Sequence, residues 1–80
     1  MTEQEIFDRL NEIFRDVFDD RSITVGPETD AGMIEEWDSL MHINLIVAAE
    51  MGFGIKFRSF EIDDLKNVGD FAQLILKKLS

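Results

Sequence analysis

The side chain with the clearest chemical potential in this sequence is the hydroxyl of Ser39. It follows Asp38, a residue type that caps helix N-termini, and it opens a predicted helix. A phosphate ester on this hydroxyl would lie beside the free N–H groups and the positive dipole end of the helix, which favours it electrostatically. The alternative is that Asp38 and Ser39 form only a capping pair, since both residue types are common at helix starts.

His42 is the only histidine and lies three residues after Ser39, so a serine–histidine pair on one helix face has to be considered. No Gly-x-Ser-x-Gly turn surrounds Ser39, and the sequence shows no oxyanion-hole signature. We therefore predict no catalytic residue. His42 is interpreted as an exposed or half-buried helix residue.

Metal binding is the next candidate, because the chain is acidic and helical. Residues 19–30 have the length of an EF-hand loop, but Arg21 and Ile23 stand where oxygen ligands belong, and neither the glycine nor the closing glutamate of that loop is present. No metal site is predicted. Cysteine is absent, so the chain has no disulfide and no thiol of its own. Any thioester chemistry would need a thiol brought in from outside.

Charge is distributed unevenly along the chain. The net charge of −9 is held by residues 1–39, which carry 12 acidic and 3 basic side chains, whereas residues 40–80 are balanced at 5 of each. Such a surface repels nucleic acid and anionic lipid, and it favours protein partners with basic patches. We therefore predict no nucleic-acid and no membrane partner.

The length of 80 residues suits a single domain spanning 1–80. Glu3 and Glu5 stand where a signal peptide needs a basic start, and no apolar run approaches the roughly 20 residues of a membrane helix. We expect a cytoplasmic monomer.

The elements that position Ser39 follow from the apolar spacing. Residues 2–20 predict an amphipathic helix, with Thr2 and Glu5 as a capping box. Residues 21–37 predict a long loop, broken at Gly26-Pro27 and again at Gly32. A loop of this length in so small a domain is more often functional than idle.

The second predicted helix spans residues 39–51, is apolar almost all round, and is expected to stop at Gly52. Residues 53–57 predict an extended connector rather than a strand. Residues 60–65 predict a short helical turn that buries Ile62 and Leu65, and residues 68–79 a last helix capped by Asn67.

Together these elements predict an all-α fold: a small four-helix bundle of three main helices and one short helix, with the long loop between helices 1 and 2. The predicted core is Phe7, Leu10, Phe14, Phe18, Leu45, Phe53, Leu65 and Phe71.

Three short segments stand out: residues 37–40 (Trp-Asp-Ser-Leu), 53–57 (Phe-Gly-Ile-Lys-Phe) and 65–68 (Leu-Lys-Asn-Val). In these segments, in its helix order and in its size, the chain resembles the acyl carrier protein family. This resemblance implies that Ser39 receives 4′-phosphopantetheine covalently from coenzyme A. It implies that Asp38 is the motif acid that helps a phosphopantetheinyl transferase engage magnesium and coenzyme A. The thiol of the arm would carry acyl or aminoacyl groups as thioesters between loading enzymes and downstream transfer enzymes.

The second helix departs from the acid-rich pattern of many fatty-acid carriers. Met41, His42 and Asn44 occupy positions that are acidic in those carriers, which resemble this chain in the serine motif. Glu50 is the only acid within the helix. The chain is more similar to small dedicated carriers of peptidyl, D-alanyl or specialised acyl pathways.

A partner surface is predicted along the same helix. Leu40, Ile43 and Val47 share one side, and Glu35, Glu36, Asp38 and Glu50 supply charge only at its ends. The alternative function is an unmodified acidic helical adaptor that binds a partner through this apolar helix and has no need of the serine motif.

Overall fold

The computed structural model describes residues 1–63 and 65–80, and it is built of helices. Four α-helices follow one another: α1 (Glu3–Phe18), α2 (Ser39–Phe53), α3 (Ser59–Asp63) and α4 (Val68–Leu79). The described residues contain no strand, so the predicted all-α bundle of three main helices and one short helix is confirmed. α1 packs against both α2 and α4.

The start of α1 is the predicted capping box. The Thr2 hydroxyl accepts from the Glu5 N–H at 3.2 Å, and the Glu5 carboxylate accepts from the Thr2 N–H at 2.9 Å. The helix ends at Phe18, two residues before the predicted end at residue 20, because Asp19 adopts the left-handed conformation at φ 51°. Aspartate tolerates that conformation better than most residues, and it therefore ends the helix without a glycine.

The end of α2 corrects the prediction of a stop at Gly52. The helix continues through Phe53, and Gly54 is the residue in the left-handed conformation, at φ 69°. The two additional helical residues carry the Phe53 ring into the core, where it is buried. Either glycine could adopt the left-handed conformation that ends a helix. The helix ends at Gly54 because the longer helix buries Phe53.

The long loop is held by side chains of α1. The Asn11 amide oxygen accepts from the Val25 N–H at 2.7 Å, and the Arg15 guanidinium donates to the Ile23 carbonyl at 2.7 Å. A single 3₁₀ turn (Ala31–Met33), which the sequence pattern does not predict, interrupts the loop. The loop therefore reaches the start of α2 along a fixed path.

The predicted connector of residues 53–57 starts later than expected, because Phe53 is the last residue of α2 and Gly54 caps it. Residues 55–58 have no regular secondary structure, and α3 follows them. This short helix begins one residue earlier than the predicted turn. Ile62 and Leu65 pack against the core but are only half-buried, in contrast to their predicted burial. Asp64, within the predicted turn, lies outside the described residues.

The core confirms six of the eight predicted residues. The exceptions are Phe7 and Leu65, which are half-buried and pack against the core from its edge. No described helix is long and apolar enough to cross a bilayer. The buried residues are Ile6, Leu10, Phe14, Phe18, Val25, Leu45, Ile46, Ala49, Phe53, Val68, Phe71, Ala72 and Ile75.

Candidate functional site

Ser39 is the first residue of α2, and its side chain is exposed. Asp38 caps the helix: its carboxylate accepts from the Met41 N–H at 2.9 Å, and its carbonyl accepts from the His42 N–H at 2.9 Å. Among the described residues, the N–H groups of Ser39 and Leu40 have no acceptor. Both N–H groups lie at the start of the helix, beside the Ser39 hydroxyl, where backbone donors lack partners within the helix.

This end of the helix fits a phosphate ester chemically. The exposed hydroxyl can be reached by another protein, and the free N–H groups and the dipole of a 15-residue helix stabilise an anion placed there. An open groove runs beside Ser39 between the start of α2 and α3, where Ile62 and Asp63 form its far side. A group attached to the serine thus has room to leave in the direction of α3.

Trp37 anchors the loop immediately before this site. Its ring packs edge-on against Phe14 at 5.3 Å and against Phe18 at 6.4 Å between centroids. On its other side it stacks on the His42 ring at 6.0 Å, and its indole N–H donates to His42 Nδ1 at 3.2 Å. His42 is half-buried, which agrees with the prediction of an exposed or half-buried residue. Its pairing with Trp37 was not predicted. The five-residue spacing of these two residues across the start of α2 is the one sequence feature that points to the pairing.

A small apolar cavity of about 80 Å³ lies behind the tryptophan, inside the bundle. Phe14, Leu45, Ile46 and Phe71 form its interior, and Trp37 and His42 belong to its wall as well as to the wall of the Ser39 groove.

The predicted apolar strip of α2 is open to solvent. Leu40, Ile43 and Val47 are 67%, 59% and 47% exposed. Met51, one turn beyond Val47, is also exposed and lies in line with the three predicted residues, although it was not predicted to belong with them. Phe60 on α3 is exposed too. Four large apolar side chains are therefore exposed along one side of α2, a concentration that in soluble proteins often marks an interaction surface.

The acids expected around the strip divide into two groups. Glu35, Glu36 and Asp38 are exposed near Ser39. Glu50 is instead half-buried, and its carboxylate accepts from the Phe57 N–H at 2.8 Å, which attaches the connector to α2. Glu50, which was predicted to supply charge to a partner surface, thus also binds the backbone of its own chain.

α3 is tied to α4 by an ion pair between the Glu61 carboxylate and the Lys78 ammonium at 2.9 Å. The hydrogen bond from Lys78, together with one from the Arg58 N–H, holds the pKa of Glu61 below its ordinary value. The pair fixes the helix that forms the far side of the groove.

Two comparisons with known proteins agree with this architecture. The chain is 33% identical over 75 residues to an acyl carrier protein of Acidothermus cellulolyticus, covering 94% of this chain and 89% of that protein. It is 55% identical to a holo acyl carrier protein from Geobacter metallireducens, whose solution NMR structure superposes with a TM-score of 0.86 over 91% of this chain and 84% of that one. No protein-family model matches the chain.

Identity at this level over nearly the full length of both relatives, with a matching fold, extends well beyond a shared helical architecture. The chain therefore belongs to the acyl carrier protein family, non-catalytic carriers whose covalent cofactor is 4′-phosphopantetheine.

Proposed function

We propose that the Ser39 hydroxyl is the attachment point of the phosphopantetheine. The observation that supports this is its position: an exposed hydroxyl at the first residue of α2, beside the N–H groups of Ser39 and Leu40, which have no acceptor among the described residues. Once attached, the cofactor supplies the thiol that this cysteine-free chain lacks, and that thiol holds cargo as a thioester.

The residues around Ser39 have separable tasks in this proposal. Asp38 fixes the first turn of α2 through its bond to Met41, so that the remaining N–H groups face the ester. As the adjacent acid it also assists a phosphopantetheinyl transferase that uses coenzyme A and magnesium. Trp37 holds the preceding loop against Phe14, which keeps the serine at a fixed distance from the bundle.

We propose that enzymes dock on the apolar strip, meaning Leu40, Ile43 and Val47, with Glu35 and Glu36 at its end near Ser39. Burial of this strip supplies affinity, and the arm presents its cargo at high effective concentration. With few acids along α2, partners of a dedicated acyl or aminoacyl pathway suit the surface better than those of general fatty-acid synthesis. In this proposal the chain works in the cytoplasm as a monomer.

The test is an intact-mass measurement after incubation with coenzyme A, magnesium and a broad-range phosphopantetheinyl transferase. Wild type should gain the mass of one phosphopantetheine, and Ser39→Ala should gain none. Ser59→Ala is the matched control, because Ser59 is also exposed and also begins a helix, and it should be modified like wild type.

Two results would contradict the proposal. Modification of Ser39→Ala would move the site to another residue. A wild-type mass that stays unchanged with several transferases would favour the unmodified adaptor, for which the exposed strip on α2 is the supporting observation.

A further inference from the structure

The Ser39 groove and the apolar cavity share part of their walls. Trp37, His42 and Ala31 line both hollows. The two large rings of this set are stacked at 6.0 Å and joined by the bond from the indole N–H to His42 Nδ1. The joined rings therefore stand between the proposed attachment site and the interior of the bundle.

The two rings are not held equally. Trp37 is packed against the buried rings of Phe14 and Phe18, which fix it to α1. His42 is half-buried, and the indole N–H is the one described group with which its ring forms a hydrogen bond. If the two rings separate, His42 is therefore the ring that moves.

The bond requires the neutral form of His42. An indole N–H can only donate, so Nδ1 must keep its lone pair and the ring proton must sit on Nε2. A protonated imidazole carries N–H on both nitrogens and cannot accept, so it would place two donors face to face beside an apolar cavity. A charged ring is also more stable in water than against apolar side chains, which favours its rotation toward the open groove.

Among the described residues, three charged side chains line the two hollows beside the ring. Asp38 at the start of α2 and Asp63 on α3 line the groove side, and Lys66 before α4 lines the cavity side. α1 and α4 contribute the apolar rings of Phe14 and Phe71 to the cavity. A cation that rotates toward the groove thus moves from the hollow that Lys66 lines to the hollow that Asp38 and Asp63 line.

We propose that Trp37 and His42 form a proton-sensitive partition, closed while His42 is neutral and opened when it is protonated. Histidine is the side-chain type that ordinarily changes charge between about pH 5 and pH 8, so the two forms are compared across that range. Its significance for tethered cargo rests on the proposed function of Ser39: the open form joins the attachment groove to the apolar interior.

The partition can be tested on the unmodified full chain, independently of any attachment to Ser39. Trp37 is the only tryptophan, so its indole N–H gives one NMR signal. Its exchange with solvent, divided by that of free N-acetyltryptophanamide at the same pH, should rise roughly tenfold from about pH 8 to about pH 5.5, the factor expected for one lost neutral hydrogen bond. Far-ultraviolet circular dichroism at both pH values should show unchanged helix content.

Two variants separate the partition from a general effect of pH. His42→Gln keeps an acceptor that does not titrate, so the normalised exchange should be slow at both pH values. His42→Leu offers no acceptor, so exchange should be fast at both. A wild-type ratio that does not change with pH would overturn the proposal, as would a wild-type-like rise in either variant. The mass experiment on Ser39 can fail or succeed without affecting this result.

Discussion

Gly69, near the start of α4, lies directly against the backbone of Pro27 in the long loop. Its N–H donates to the Pro27 carbonyl at 3.0 Å, and a Cβ at Gly69 would lie 2.5 Å from that oxygen. The neighbouring Val68 N–H donates to the Thr29 carbonyl at 2.7 Å. Through this close approach the loop that leads to Ser39 is attached to the last helix.

Gly69→Ala should therefore destabilise the fold. Alanine normally favours a helix over glycine by about 1 kcal/mol, but here its methyl group would push two backbones apart, and overpacking of this kind costs about 1–3 kcal/mol. Urea unfolding followed by circular dichroism measures the change. Gly26→Ala is the matched control, because a Cβ there has nothing within 4 Å, and it should stay within about 0.5 kcal/mol of wild type. A more stable Gly69→Ala would contradict the close approach.

Phe14→Ala should cost about 3–5 kcal/mol, enough to unfold much of a domain of this size. Phe14 is completely buried, packs against Phe18 and Trp37, and lines the cavity, which the truncation would enlarge. Thermal unfolding checks this. Phe60→Ala removes the same ring from an exposed position and should change the free energy of unfolding by less than about 0.5 kcal/mol. Equal effects in the two variants would mean that the core is misassigned.

The ion pair between Glu61 and Lys78 should make stability depend on pH in the acid range. The folded-state pKa of Glu61 is lowered, first by the hydrogen bond from Lys78. Its stabilising contribution is therefore fully present above the ordinary glutamate pKa of about 4.3 and is lost as the pH falls through the lower folded value. Wild type should melt above Glu61→Gln at pH 7, and the difference should shrink below about pH 4. A difference in melting temperature that grows on acidification would show the opposite sign of coupling.

The apolar strip should matter for partners and not for folding. Val47→Asp should leave the melting temperature nearly unchanged, since Val47 is 47% exposed, while slowing modification by the transferase or transfer to a cognate enzyme. Leu45→Asp, two residues away on the buried side of α2, should unfold the protein. Unfolding of Val47→Asp would place this residue in the core.

Partner binding should weaken only modestly between low and physiological salt, because the strip contributes burial and its charges lie at the ends. Isothermal calorimetry at two ionic strengths measures this for a cognate pair. An affinity that collapses on adding salt would show that Glu35, Glu36 and Asp38 dominate recognition.

Added salt or millimolar magnesium should raise the melting temperature at neutral pH. The net charge of −9 lies in residues 1–39, and repulsion among those acids is stronger in the compact fold than in the open chain. The pairs of Arg21 with Glu12 and Asp16 relieve part of it locally. A melting temperature that stays flat or falls with ionic strength would show that repulsion is not limiting.

The sequence by itself determined where the three main helices begin, and it supplied the hypothesis for Ser39. The 3.6-residue spacing of apolar side chains in 2–20 and 68–79 is compatible only with an α-helix that buries one face. Thr2, Asp38 and Asn67 cap the helix starts because their side chains satisfy free backbone N–H groups. Ser39 at the head of the second helix followed from the same local rules. These features depend on neighbours within a few residues, so the sequence contains all the information that they need.

Tertiary structure alone decided the features that depend on what α2 meets. The spacing places Leu40, Ile43 and Val47 on one side of α2, but a helix that is apolar almost all round does not show by itself which side is buried. Packing against α1 buries Leu45 and leaves Leu40 and Ile43 in water. The choice of Gly54 over Gly52 followed from the burial of Phe53. The Trp37–His42 pair formed because the bundle fixes the loop against α1 and thereby brings the indole N–H to the imidazole, a distance that no spacing along the chain can specify.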